Sequence, residues 1–198
     1  GSLPRPQHLT EILGSLALGQ PVDQAALEAI ASRSTIDILK KQADSGIDIV
    51  NSGEQSRTSF STYVTQRMSG FGGSWTRRGH KDQNEFPNLA RPRVVQIMRD
   101  VPQCIGPLEY NRLELAEKEL DSLLTGITKS RTSPQDIFMT AASPGIIALT
   151  MGNAYYSSHN EYVMALAEEM RKEYELIANR GVVLQLDCPD LAMERHVA

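Results

Sequence analysis

Two cysteines in 198 residues, a single tryptophan and no long apolar run set the first limits on this chain. Cys104 and Cys188 lie far apart and belong to no Cys-x-x-Cys or Cys/His cluster. The sequence therefore predicts neither a disulfide framework nor a complete local zinc site. Any metal chemistry is expected to draw on residues outside the chain. A helical membrane span needs roughly 20 consecutive apolar residues, and no run approaches that length. The opening Gly1-Ser2-Leu3-Pro4-Arg5-Pro6 lacks the charged-then-apolar layout of a signal peptide, so a cytoplasmic location is expected. An excess of positive charge is also missing: 20 Lys and Arg are interspersed with 24 Asp and Glu, a net charge of −4. Nucleic acid and anionic lipid are thus not the expected partners, and a small metabolite is.

What is present is enough apolar residue, 40%, to bury a core in one domain of ordinary size. The abrupt, proline-rich start reads as the exit loop of a strand that preceded it. From Asp23 as N-cap, Leu27, Ile30, Ala31, Ile38 and Leu39 predict a helix to Ser45. Ile47 to Val50 then reads as a strand ending at Asn51-Ser52-Gly53-Glu54. Thr58 to Met68 is expected to be helical. Ser69-Gly70-Phe71-Gly72-Gly73-Ser74 breaks the periodicity and opens a long loop or hairpin excursion, with short extended pieces at Arg93 to Met98 and Cys104 to Leu108. A helix follows from Asn111 to Thr125, with Leu113, Ala116, Leu120, Leu123 and Leu124 on one face. Asp136 to Ala142 reads as a strand, interrupted at Ser143-Pro144-Gly145, where an apolar helical turn begins. A long helix starts at Ser158, where Ser158-His159-Asn160-Glu161 has capping-box spacing, and Gly181 closes it. Val182 to Leu186 has the continuous apolar character of a strand buried on both faces.

One cadence occurs twice. A helix ends in Ala-Asp-Ser-Gly (43–46) or Ala-Asn-Arg-Gly (178–181), an apolar strand follows, and an acid stands at the strand's C-terminal end. Long helices alternating with short buried strands predict an α/β fold, with Glu54 and Asp187 facing one mouth. Ligands of such folds bind at the C-terminal ends of strands, which makes these two acids the leading site candidates. Converging carboxylates bind an ammonium group, hold a metal or share acid and base work. The competing reading has each acid cap the next helix or pair with an arginine such as Arg57. Cys188, beside Asp187, reads either as a reactive thiolate or as a small packed residue. His8, His80, His159 and His196 show no mutual ligand spacing and read as surface residues, with His159 in a first helical turn. The glycine-rich stretch running into Trp75-Thr76-Arg77-Arg78-Gly79-His80 reads as a polyanion clamp or as a plain surface loop.

Four segments together resemble the catalytic barrel of the cobalamin-independent methionine synthases, in the uroporphyrinogen decarboxylase/methionine synthase-like superfamily. Gly1-Ser2-Leu3-Pro4 resembles that family's Gly-Ser-Phe-Pro turn after the first barrel strand. Gly46 through Gly53-Glu54 resembles its second strand. Phe138 through Ser143-Pro144-Gly145 resembles the third, and Gly181 through Pro189 the fourth, which ends in Asp-Glu-Pro. The resemblance implies a (β/α)8 barrel of which this chain is roughly the first half, strands 1–4 with their helices. Residues 69–110 would be an inserted loop or hairpin.

It further implies that Ser2, Glu54 and Asp187 hold the amino-acid substrate, the serine region at its carboxylate and the two acids at its ammonium. Zinc, with ligands outside this chain, would bind the homocysteine sulfur, and a methyltetrahydrofolate would donate the methyl group. The partner of the chain would be the missing C-terminal half. Two positions depart from the family pattern: Cys188 stands at the Glu of Asp-Glu-Pro, and Met151-Gly152-Asn153 where a tryptophan lies beside the folate. Cys188 and Asn153 are therefore possible site-lining residues. The departures favour, as the alternative, a related barrel that alkylates another thiol, like epoxyalkane:coenzyme M transferase. A non-catalytic half barrel is the third reading.

Overall fold

The computed structural model of the chain describes residues 1–76 and 101–193. In chain order its elements are α1 (Gln7–Ala17), α2 (Gln24–Asp44), β1 (Ile49–Val50), a 3-10 turn (Thr62–Gln66), β2 (Met68–Trp75), β3 (Val101–Tyr110), α3 (Leu113–Ser130), β4 (Asp136–Ala142), α4 (Pro144–Thr150), α5 (His159–Asn179), β5 (Val183–Asp187) and α6 (Asp190–Met193). They divide into two compact units. The first holds Gly1–Tyr63, Leu113–Ala141 and Glu173–Gln185, and the second holds the intervening segments and the C-terminal residues from Leu186.

In the first unit, β1 pairs in parallel with β4, and β5 flanks β4 on its other side, giving the order β1-β4-β5. Beneath the sheet, α2 and α3 contribute Leu39, Leu120 and Leu123 to a core with Val50, Met139, Ala141, Ile177 and Val182. Asp23 caps α2 as expected, its carboxylate accepting from the Ala26 amide at 3.0 Å. The helices approach closely where α3 carries Gly126. A β-carbon there would sit 2.9 Å from Leu39 Cδ1 and 3.4 Å from Thr35 Cγ2. Gly126→Val is therefore expected to lower stability by about 1–3 kcal/mol through overpacking, read as a shifted urea midpoint at unchanged slope.

Several expectations are corrected here. Residues 7–17, for which no element was expected, form α1, which buries Leu9 and Leu13 against Leu27 and Ala31, a spacing that Leu9, Ile12, Leu13 and Leu16 already display. The strand expected over Ile47 to Val50 is two residues long. The helix expected over Thr58 to Met68 is only the 3-10 turn. The Ser59 hydroxyl accepts from the amides of Ser61 (3.3 Å) and Thr62 (2.8 Å), a local alternative to the helical ladder, and Thr62, Val64 and Thr65 are β-branched. Val182 to Leu186 is not buried on both faces: β5 lies at the edge of the described sheet, with Val183 49% and Leu186 43% exposed.

In the second unit, β2 and β3 pair antiparallel from Met68 opposite Tyr110 to Trp75 opposite Val101, with register shifts after Ser69 and Gly72. The run Ser69 to Ser74 is thus strand in an antiparallel pair, the hairpin form of the loop or hairpin excursion expected there. Order comes from the cross-strand partner, which local composition does not reveal. The extended piece expected over Cys104 to Leu108 is part of the longer β3, which opens at Val101 and Pro102. Arg93 to Met98, Arg77, Arg78, His80 and His196 lie outside the described residues. The expected helix from Asn111 begins at Leu113 and continues to Ser130. At α5 the Ser158 hydroxyl accepts from the Glu161 amide (3.1 Å), but the Glu161 carboxylate turns to Ser157 rather than closing the capping box. No helix of the described residues is long and apolar enough to cross a membrane.

Candidate functional site

The loop after β1 is built by side chains that replace the missing ladder bonds of so short a strand. Buried Gln42, on α2, donates to the Asn51 carbonyl (2.9 Å) and accepts from the Asn51 amide (3.2 Å), extending the strand's pairing with its amide group. Asn51 Oδ1 accepts from the Gly53 amide at 2.7 Å, and Ser52 Oγ accepts from the Glu54 amide at 3.3 Å. These bonds turn the chain so sharply that Gly53 has φ +64° and Glu54, without glycine's freedom, φ +55°. A left-handed non-glycine residue costs about 1–2 kcal/mol, so the surrounding bonds hold Glu54 in a conformation it would otherwise leave.

The N-terminal segment lies against this loop. The Leu3 amide donates to the Gly53 carbonyl (3.1 Å), and Gln55 Nε2 returns a bond to the Leu3 carbonyl (3.2 Å). A β-carbon on Gly53 would be 3.0 Å from Leu3 Cβ, and with a φ of +64° this tight approach favours glycine. Arg5 reaches across with Nη2 to the carbonyls of Glu54 (2.6 Å) and Arg57 (3.1 Å). Burial holds the Arg5 guanidinium below its ordinary pKa, against the opposing pull of Glu54.

Glu54, 2% exposed, accepts on both oxygens: Ser2 Oγ donates to Oε2, and Thr140 Oγ1, on β4, donates to Oε1 at 2.8 Å. Thr140 is in turn held by Arg57, whose Nη1 donates to its hydroxyl (3.3 Å) and Nη2 to its carbonyl (2.8 Å). Arg57 Nε is shared between the two oxygens of Glu119, on α3, at 2.8 and 3.0 Å, and its guanidinium lies 4.3 Å from the centroid of the Tyr63 ring. Tyr63 itself donates to the fully buried Glu173 at 2.7 Å. The expected alternative, a Glu54–Arg57 pair, is therefore not the arrangement: Arg57 pairs with Glu119, and two hydroxyls face Glu54. The only buried side-chain polar atoms without a partner among the described residues are Arg5 Nε and Gln55 Oε1, both in the segments that build this site.

Of the sequence-predicted site residues, Ser2 and Glu54 are thus brought together. Asp187 ends β5 and belongs to the second unit, where its carbonyl accepts from the Ser143 amide at 3.1 Å. Cys188 follows it, half-buried, with Sγ 3.7 Å from the Leu186 carbonyl. The Asn153 side chain is spent on its own turn, accepting from the amides of Tyr155 (3.1 Å) and Tyr156 (2.9 Å) and donating to the Tyr156 carbonyl (2.9 Å). Cys104 is fully buried, and burial pushes its thiol pKa up. Nearby, Tyr162 donates to the Met151 carbonyl at 3.1 Å, and burial raises its hydroxyl pKa too. Because the thiolate is the nucleophile, iodoacetamide at neutral pH is expected to label half-buried Cys188 well ahead of Cys104, by mass spectrometry of the native protein.

Thr140, Glu119 and Arg5 were missed by sequence reasoning, and Arg57 was given a different partner. Glu119 carried a signal: it falls on the buried stripe of α3 formed by Ala116, Leu120 and Leu123. Glu173 does the same among Met170 and Ile177 of α5. Among the described residues, no group of three or more His, Cys, Asp and Glu side chains is placed to hold a metal. The groups gathered around Glu54 are hydroxyls and guanidinium groups, a donor set that does not suit zinc.

No family model matches the chain. Methionine synthase from Thermococcus kodakarensis is 28% identical over 197 residues, 99% of this chain and 52% of that protein. Methionine synthase from Pyrococcus furiosus matches with the same identity and coverage. Among solved structures, a B12-independent methionine synthase from Shewanella sp. W3-18-1, in complex with selenomethionine, shares the fold with a TM-score of 0.66 at 22% identity, over 96% of this chain and 50% of that one. A putative vitamin-B12 independent methionine synthase from Listeria monocytogenes gives a TM-score of 0.61 at 16% identity, over 94% and 49%. Along nearly its whole length, then, the chain resembles proteins named methionine synthase, and it spans about half the length of the curated relatives it matches.

Proposed function

We propose that this chain is the N-terminal half of the (β/α)8 barrel of a methionine synthase-like methyltransferase, and that Ser2, Glu54 and Asp187 form its amino-acid pocket. The observation that carries the reading is the buried Glu54, held by Ser2 and Thr140 at the end of a parallel strand, where such folds bind ligands. A carboxylate whose oxygens accept from two hydroxyls retains lone pairs for the N–H donors of an ammonium group. Ser2 is exposed at the start of the chain and is assigned to the ligand carboxylate. Asp187 is the second ammonium partner, with Cys188 and Asn153 lining the site. Residues 69–110 are an insertion relative to the barrel.

Metal ligation is assigned to the complementary half of the barrel. Homocysteine and a methyltetrahydrofolate are the proposed substrates, in the cytoplasm. An alkyl transfer to another thiol, of the epoxyalkane:coenzyme M transferase kind, is the second reading. It is favoured by the two departures from the family pattern, Cys188 in place of the Glu of Asp-Glu-Pro and Met151-Gly152-Asn153 in place of a tryptophan.

The test is calorimetric titration with methionine, of the full chain alone and of the chain mixed with the complementary half of a relative, followed by assays of the mixture. Binding, with methionine formed from homocysteine and methyltetrahydrofolate, supports the first reading. Turnover with epoxide and coenzyme M instead supports the second. Absence of methionine binding in both preparations removes the assigned pocket.

A further inference from the structure

We infer that Thr140 is a positioning residue of this pocket, the hydroxyl through which the buried Arg57–Glu119 pair aims Glu54; the inference rests on the functional reading above. The geometry determines where the proton lies. A guanidinium has five N–H donors and no acceptor. With Arg57 Nη1 at 3.3 Å from Thr140 Oγ1 and Nη2 at 2.8 Å from the Thr140 carbonyl, the threonine oxygen accepts from Arg57. Its single hydrogen is left for the other neighbour, Glu54 Oε1, at 2.8 Å. The opposite direction, a proton on Glu54 donated to Thr140, would turn the threonine hydrogen towards a group that accepts nothing. Ser2 donates to the other oxygen, so the carboxylate receives on both sides and its plane is set from two separate segments.

The whole relay is buried, with Arg57, Glu119, Thr140 and Glu54 each at 5% exposure or less, so water does not compete for these directions. Arg57 cannot turn away either: Glu119 takes its Nε, and the Tyr63 ring lies against the guanidinium. A carboxylate presented in this way discriminates for a ligand nitrogen carrying hydrogens and positive charge. Thr140 would therefore govern how strongly the site prefers an amino acid over the same molecule without its amine.

The experiment compares methionine with 4-(methylsulfanyl)butanoic acid, its deaminated analogue, by calorimetry on the preparation in which methionine binding is measured. Thr140→Val keeps the branched shape and removes the hydroxyl. It is expected to weaken methionine by about 10- to 100-fold, the range for a hydrogen bond to a charged group, and to leave the analogue unchanged. Thr140→Ser restores methionine binding to within a few-fold. Equal weakening of both ligands, or full retention of both, overturns the positioning role. Should Thr140→Val fail to fold, Arg57→Lys reads the same relay, because one ammonium cannot hold the hydroxyl, the carbonyl and Glu119 in a fork; loss confined to methionine is again expected, and equal loss of both ligands again overturns it. A wild type that binds neither ligand overturns the functional reading and this inference with it. A wild type that discriminates while Thr140→Val discriminates equally overturns this inference alone.

Discussion

Glu119→Leu is expected to destabilise the protein by about 3–5 kcal/mol, a large part of the total stability of an ordinary domain. The substitution takes the Glu119 carboxylate away from the buried Arg57 guanidinium, whose Nε loses both oxygens of that partner while the site offers little water in exchange. The loss should appear in urea unfolding as a lower midpoint at an unchanged slope. The double replacement Arg57→Met with Glu119→Leu is expected to recover most of it, because removing both charges together also removes the cost of desolvating them. Methionine binding, by contrast, should not recover in the double variant, because Thr140 then has no guanidinium to orient its hydroxyl. Stability and binding would part company between the single and double variants. A single substitution costing less than about 1 kcal/mol would mean that Arg57 and Glu119 behave as a solvated surface pair, in conflict with their burial.

The parts of this fold that were legible in the sequence are those governed by local chemistry. The Asp23 cap, the stripe of α2, the bounds of β4 and the start of α4 at Ser143-Pro144 follow from side chains acting on their immediate neighbours. What was not legible depends on partners distant in the chain, or on a side chain that competes with the backbone for nearby amides. Ser69 to Ser74 is strand because β3 lies beside it, and Thr58 to Met68 fails as a helix because Ser59 captures the amides that would have begun one. The site divides in the same way. Glu54 was visible as an acid at the end of an apolar strand, and Ser2 through the resemblance. Their meeting partner Thr140, 86 residues from Glu54, was one hydroxyl in a strand with nothing in its surroundings to single it out. Glu119 shows how more might have been read: an acid on the apolar stripe of a helix needs a buried cation, and Arg57 was the basic residue already under consideration.

Glu54→Gln is expected to weaken methionine binding by at least about 30-fold and as much as several thousand-fold, the range for truncating one side of a buried, hydrogen-bonded charge pair. Two effects act together. The amide no longer attracts the ligand ammonium as a full negative charge does. Its geometry is also wrong for the site: a glutamine has one oxygen and one NH2, while Ser2 and Thr140 both present hydrogens. Thr140 cannot reverse, because Arg57 faces its lone pairs, so the amide oxygen turns towards Thr140 and the NH2 must find an acceptor on the Ser2 side. Ser2 is exposed and free to rotate, so the fold should lose little, about 1–3 kcal/mol at most. Asp187→Asn is expected to have the smaller effect on methionine, since Asp187 is only half-buried and water remains at hand to solvate what the substitution leaves. Titration of the two single variants and of Glu54→Gln with Asp187→Asn decides the matter. If the amino acid still binds the double variant as tightly as the wild type, neither acid meets its ammonium, and the pocket must be sought at other strand ends.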